Sequence, residues 1–175
     1  MAYSDFTLPR LTHQFSLSID ERQDLFSQIP EVALRPEFKA QLAKTVPLAL
    51  ALSTEKARSE LIISPVLVEV WQMTNQEIGL FSGVDFSVDT ANGLAGVCDF
   101  ILTRSQQQLF VKAPVVMLVE AKNEDMKRGY AQCAAEMIAA RQFNMQEKTE
   151  SEPIYGVVTI GDNWKFLTLE GSVLN

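Results

Sequence analysis

Three charged residues interrupt two apolar segments of the chain at positions where charge is unusual. Asp99 lies inside the stretch 96–103, and Glu120 and Lys122 end a run that begins at Val115. Side chains alternate along a β-strand, so Glu120 and Lys122 are expected to point to the same face. A buried strand tolerates charged residues only where they are paired or needed for chemistry. The spacing therefore predicts a charged site at the ends of two strands.

The chemistry of this site depends on how the two strands pair. If they form an antiparallel hairpin with Leu102 opposite Met117, then Asp99 falls opposite Glu120, with their Cβ atoms about 4.5–5.5 Å apart. Two facing carboxylates repel each other unless a cation lies between them, and Mg²⁺ takes oxygen ligands of this kind. Lys122, on the same face as Glu120, would then reach a metal-bound water or a phosphate.

A simpler interpretation exists for each residue taken alone. Asp99 would be an acid near a turn, and Glu120 with Lys122 would form a surface salt bridge, since most charges in proteins are merely solvated. Glu136, four residues after Gln132, would belong to the solvated face of a helix. For Asp99, Glu120 and Lys122, the combination of three charges across two apolar strands favours the site over the simpler interpretations.

The elements that must position these residues follow from hydrophobic period and from turn residues. The capping-box spacing that starts at Ser18 predicts a helix through Gln28, and Pro47 is expected to break or kink the next helix. The full set predicted is helices over 18–28, 37–45, 54–72 (kinked near Pro65) and 125–143, and strands over 81–88, 96–103, 115–119, 154–160 and 164–169. This order predicts an α/β (α+β) fold in which one mixed central sheet is flanked by helices.

Composition limits the functions that are open to the chain. Its 175 residues suit a single domain, and the net charge of −7 argues against indiscriminate binding of nucleic acid. His13 is the only histidine, which makes a catalytic triad or a histidine-rich zinc site improbable. Cys98 and Cys133 lack metal-ligand spacing and suggest reduced thiols. With no signal peptide or membrane span in the sequence, we expect a cytoplasmic protein.

The order of these motifs resembles a known superfamily of nucleases. The segment Gly-Val-Cys-Asp-Phe-Ile-Leu at 96–102, followed by the apolar run 115–119 and then Glu-Ala-Lys, is similar to the PD-(D/E)XK, or restriction-endonuclease-like, superfamily. The N-terminal nuclease domain of type I restriction-enzyme motor (R) subunits and its small stand-alone relatives are the closer likeness. Residues 59–67, 129–132 and the hairpin at 155–167 also fit that pattern. The resemblance covers about 54–171 as a nuclease core and leaves 1–53 as an N-terminal helical extension, while Cys98 stands where the motif's name has Pro.

Carried onto this chain, the resemblance implies a metal site. Asp99 and Glu120 would bind Mg²⁺, for which Mn²⁺ can substitute, and the carbonyl of Ala121 would be a further ligand. Glu60, on the first helix of the core, would complete the metal shell or hold a water.

The resemblance also implies a reaction and partners. Lys122 would activate the attacking water or stabilise charge on the phosphate, and Gln132 would fix this geometry from the opposite side, so that Asp99, Glu120, Lys122 and Gln132 form the catalytic set. The substrate would be nucleic acid, most simply DNA. Cutting both strands would call for a homodimer or for a separate DNA-recognition or motor partner. The alternative that stays open is a nuclease-like fold that binds or assembles without turnover.

Overall fold

The structure is a computed structural model that describes residues 1–123, 125–149 and 153–175. A seven-stranded mixed sheet lies at its centre, with helices on both faces, and this confirms the predicted α/β (α+β) class. The helices are α1 (Leu8–Gln14), α2 (Pro36–Leu52), α3 (Glu55–Arg58), α4 (Ser64–Met73) and α5 (Met126–Gln146). The strands are β1 (Ser18–Ile19), β2 (Gly79–Asp85), β3 (Val97–Thr103), β4 (Val115–Ala121), β5 (Ile154–Thr159), β6 (Trp164–Glu170) and β7 (Val173–Leu174).

The strand order in the sheet is β1-β7-β6-β5-β4-β3-β2, with the parallel pair β4 and β5 at the centre. Strand β4 is covered on both faces, which explains why it reads as a continuous apolar run. Its Leu118 lies in the core beneath α5, whereas its Val119 packs with Leu67 of α4 on the other face. The two faces of β4 therefore belong to two separate apolar clusters.

The predicted antiparallel pairing of the strands over 96–103 and 115–119, which are β3 and β4, is confirmed. Leu102 lies opposite Met117 and Phe100 opposite Val119, and the register shifts only after Leu102. The predicted hairpin of β5 and β6 is also present, with Thr159 opposite Trp164 across the turn. The order of these strands brings the end of β4 next to the end of β5.

Helix α5 lies unusually close to the sheet because two glycines remove side chains from the contact. A Cβ atom on Gly129 would lie 2.6 Å from Cγ1 of Val158 and 3.2 Å from Cγ of Lys122. A Cβ atom on Gly156 of β5 would collide with Met137 of the helix. This close approach sets the height of the α5 side chains above the end of β4.

The N-terminal residues cover the outer side of α5 instead of forming a separate unit. Tyr3, Phe6, Leu11 and Leu17 are buried in the same cluster as the inner face of the helix. The hydroxyl group of Tyr3 donates a hydrogen bond to the carbonyl of Phe86, which ties this segment to the loop after β2. Residues 3–17 therefore complete the core around α5.

The helix predicted over 18–28 was wrong. Ser18 and Ile19 form β1, which pairs in parallel with Val173 and Leu174 of β7. Ser18, the residue predicted to cap the helix, instead donates from its N–H group and from its hydroxyl group to the carbonyl of Ser172. Pairing with the C-terminal strand outweighed the local helix signal here.

The helices around the two prolines differ in part from their predictions. Helix α2 continues through Pro47 to Leu52 because Phe38 and Ala49, on either side of the proline, are both buried. The predicted helix over 54–72 is present as α3, a π-helical turn over Ser59–Ile63, and α4, with the irregular turn directly before Pro65. No helix in the described ranges is long and apolar enough to cross a membrane.

Candidate functional site

The end of β4 is held on both sides by hydrogen bonds. The N–H group of Ala121 donates to Oδ2 of Asp99 at 2.8 Å, just beyond the last backbone pair of β3 and β4. On the other side, the N–H group of Lys122 donates to the carbonyl of Thr159 at 2.8 Å. These bonds place Asp99 beside Glu120, as the predicted register requires, and fix where the Lys122 side chain begins.

Lys122 reaches across the gap between the sheet and α5. Its ammonium group donates to Oε1 of Glu120 and to Oε1 of Gln132, the latter at 3.2 Å. Burial alone would lower the pKa of Lys122, but the charge of Glu120 and its hydrogen bond outweigh that effect, and the pKa is raised. Lys122 is therefore a permanent cation near neutral pH, suited to stabilising negative charge and unsuited to accepting a proton.

A fourth side chain closes this arrangement into a ring. Nε2 of Gln132 donates to Oε1 of Glu136 at 3.3 Å, and the Glu136 carboxyl group lies close enough to that of Glu120 for the charge of Glu120 to raise the pKa of Glu136. We call Glu120, Lys122, Gln132 and Glu136 the carboxyl ring. Glu120 is 1 % exposed and Glu136 is 0 % exposed, and each has an Oε2 atom without a hydrogen-bond partner among the described residues.

The two buried carboxyl groups have raised pKa values. Burial, followed by the negative charge of Asp99, raises the pKa of Glu120 to about 7. Burial and the charge of Glu120 raise the pKa of Glu136 well above its ordinary value.

The structure does not bring Glu60 into this group. Its exposed carboxylate pairs with Lys56 at 2.8 Å, one helical turn away. Glu55, at the start of α3, lies with Lys122 and Gln132 in the wall of a surface cavity of about 410 Å³. Its charge contributes to the raised pKa of Lys122. The acid that the first helix supplies to this site is therefore Glu55.

Arg58 fixes the helix that carries Glu55. Its guanidinium donates from Nη1 to the carbonyl of Ile160 at 2.5 Å and to Oδ1 of Asp162 at 3.3 Å. Both acceptors belong to the turn between β5 and β6, and the Arg58 side chain is only 12 % exposed. This contact docks α3 against the same end of the sheet at which Lys122 begins.

Two residues of the site escaped the sequence prediction. Glu136 was assigned to a solvated helix face, yet it is the only charged residue in the apolar run 133–140, and that isolation was the available signal. Glu55 follows the N-cap residue Thr54 directly, so its position at the first turn of a helix was readable. Its proximity to Lys122 depends on tertiary contacts. Asp99, Glu120, Ala121, Lys122 and Gln132 come together as predicted.

The donor set of this site suits Mg²⁺, although it is small. Among the described residues no group of three or more His, Cys, Asp or Glu side chains is arranged to hold a metal ion. Mg²⁺ commonly takes one or two carboxylates and completes its shell with water and phosphate oxygens. Oε2 of Glu120, buried without a partner beside the carboxylate of Asp99, offers such a ligand, and the Ala121 carbonyl would be a third oxygen donor.

Comparison with known proteins yields no relative. No protein-family model matches the chain, no curated protein is significantly similar to it, and no solved structure matches its fold. The likeness to the restriction-endonuclease-like superfamily therefore rests on the motif residues alone.

Proposed function

We propose that this chain is a Mg²⁺-dependent nuclease that hydrolyses phosphodiester bonds in DNA. The observation that carries the proposal is the buried Glu120 carboxyl group at the end of β4. One of its oxygens accepts a hydrogen bond from Lys122, the other has no hydrogen-bond partner in the part of the chain that the structure describes, and Asp99 lies beside it. A buried acid with a raised pKa next to a second acid and a fixed cation is typical of catalytic sites.

In this proposal each residue of the chain has a distinct part. Asp99, Glu120 and the carbonyl of Ala121 would hold Mg²⁺, which when bound polarises a phosphate and lowers the pKa of a water. The ammonium group of Lys122 stabilises the negative charge that develops on the phosphate oxygens. Gln132 holds that ammonium group through its 3.2 Å hydrogen bond, so the cation stays in place before the substrate arrives.

The test is cleavage of plasmid and linear DNA in the presence of Mg²⁺ or Mn²⁺. Removing a preorganised electrostatic group costs roughly 100- to 1000-fold in rate, so Lys122→Ala and Asp99→Ala are expected to lose about that much. The matched control is Lys56→Ala, which removes an exposed lysine that pairs only with Glu60 and is expected to cleave like the native chain. Equal rates in the native chain, Lys122→Ala and Asp99→Ala would overturn the assignment.

A second candidate is a nuclease-like module that binds without turnover. It is favoured by the closed pairing of Lys122 with Glu120 and by the net charge of −7. Thermal unfolding with increasing Mn²⁺ separates the two candidates, because a bound ligand adds about 2.7 kcal/mol at 100 times its Kd. A shift that Asp99→Ala abolishes, without cleavage of any DNA, would indicate a binding module that takes metal. Absence of any shift at millimolar Mn²⁺ would favour the non-catalytic candidate.

A further inference from the structure

Glu136 is a buried acid without a cation. Its side chain is 0 % exposed in the middle of α5, and no Lys or Arg among the described residues forms an ion pair with it. Its Oε1 accepts a hydrogen bond from the amide of Gln132 at 3.3 Å, and the charge of the nearby Glu120 helps to raise its pKa. A buried carboxyl group in an apolar helix costs stability unless it is paired. Nothing in the packing of α5 requires an acid at this position.

We infer that Glu136 is a positioning residue, which fixes the amide of Gln132, and through it the ammonium group of Lys122, for the reaction proposed above. The inference rests on the proposed function for its purpose, although the contacts themselves do not. The side chains of Glu, Gln and Lys have several rotamers each, so ordering one has an entropic cost. In the carboxyl ring three hydrogen bonds join the side chains in order, from Glu136 to Gln132, from Gln132 to Lys122 and from Lys122 to Glu120. An ordered Glu136 therefore restricts the amide of Gln132 and, through it, the ammonium group.

Glu136 is the member best placed to anchor the ring. Lys122 and Gln132 line the surface cavity, whereas Glu136 lies below it in the core. The adjacent Ala135 and Met137 are 0 % exposed, which holds the backbone at this point of the helix. Partners that orient groups at a reacting centre act in this way, through contacts behind the residues that meet the substrate.

Two substitutions of similar length test the hydrogen bond between positions 132 and 136. A glutamine at position 136 keeps a side-chain oxygen that is able to accept from the amide of Gln132, as Oε1 of Glu136 does. A methionine offers no such acceptor. The pair of variants therefore separates the hydrogen bond from the volume.

The functional experiment compares Glu136→Gln and Glu136→Met with the native full-length chain. We expect Mn²⁺ affinity and kcat of the Gln variant within about threefold of native, and losses of about 10- to 100-fold in the Met variant with little change in KM for DNA. Thermal unfolding is the control, because replacing a buried unpaired acid by an apolar residue is expected to leave Tm equal or higher. A Met variant that binds Mn²⁺ and cleaves like the native chain would overturn the inference, as would a tenfold loss in Glu136→Gln.

A structural experiment tests the same contact without activity. Crystal structures of the two variants should show Gln132 and Lys122 in their native orientations in Glu136→Gln and turned away in Glu136→Met. Native orientations in the Met variant would overturn the positioning role. If the native chain neither binds Mn²⁺ nor cleaves DNA, the proposed function fails while these structures still decide the role of Glu136. Glu136→Leu replaces Glu136→Met if the latter does not fold.

Discussion

The helical layers on the two faces of the sheet differ in how fully they are packed. Helix α5 is buried on most sides between residues 129 and 140, because the sheet covers one side and Tyr3 and Leu11 cover the other. Helices α2 and α4, on the opposite face, leave large apolar side chains at least 37 % exposed, namely Leu48, Leu52, Val68, Val70 and Met73. Gln132 and Glu136 come from the fully packed layer, whereas Glu55, in the wall of the same cavity, lies on α3. Precise geometry is easier to hold in the fully packed layer.

Each layer also contains a buried glutamate, and the two glutamates differ in whether a cation pairs with them. Glu69 of α4 is 3 % exposed, and Arg35 meets both of its carboxylate oxygens, with Nε 2.9 Å from Oε1. The hydrogen bonds from Arg35 lower the pKa of Glu69, whereas burial raises that of Glu136. A buried acid with a purely structural role is expected to have a cation for a partner. Among the described residues no cation pairs with Glu136, which lies beside the candidate site, and this difference supports the positioning role proposed for it.

The largest difference in unfolding free energy between the layers is expected when a buried methionine of α5 and an exposed methionine of α4 are each replaced by alanine. Met137 of α5 is 0 % exposed and lies against Gly156, whereas Met73 of α4 is 42 % exposed. We expect Met137→Ala to lower the free energy of unfolding by about 2–5 kcal/mol because it leaves a cavity. Met73→Ala should change it by about 0.5 kcal/mol or less. Chemical denaturation measures both, and similar losses would show that the layers are equally packed.

A smaller loss of unfolding free energy is expected from a substitution at the contact between α5 and the sheet. Gly129→Ala places a Cβ atom 2.6 Å from Cγ1 of Val158, which should cost about 1–3 kcal/mol of unfolding free energy. Helix propensity alone predicts the opposite sign, a gain of about 1 kcal/mol.

The double variant Gly129→Ala/Val158→Ala is the control for this contact. Removing Cγ1 should make the combined loss smaller than the sum of the single losses by about 0.5 kcal/mol or more. A Gly129→Ala chain that is more stable than native would show that α5 is able to move away from the sheet.

The central strands and their pairing could be predicted from the sequence because the patterns that indicate them are local and recur along the chain. The run that ends at Glu120 has strand composition, and pairing Leu102 with Met117 is enough to place Asp99 beside Glu120. The turn around Gly161 likewise defined the last long hairpin. These predictions needed only the alternation of side chains and one loop of known length.

The remaining features depend on contacts between distant parts of the chain. Strands β1 and β7 are two residues long and exist because Ser18 pairs with Val173, which no local pattern predicts. Pro47 does not end its helix because the residues on either side of it are buried. The roles of Glu55 and Glu136 follow from where α3 and α5 meet the sheet. In each case tertiary packing overrode a local preference.

The smallest expected effect concerns the paired glutamate of α4. Because hydrogen bonds from Arg35 lower the folded-state pKa of Glu69, its carboxylate stabilises the fold above the unfolded-state pKa, near 4.5, and this contribution is lost as the pH falls through the folded-state value. Glu69→Gln should therefore lower Tm near pH 7, with a difference from native that shrinks below about pH 4.5. The control is Glu60→Gln, which removes an exposed ion pair with Lys56 and should have little effect at neutral pH. A difference between native and Glu69→Gln that stays constant across this pH range would mean that the Arg35 pair does not stabilise the fold, and that pairing does not distinguish the two buried acids.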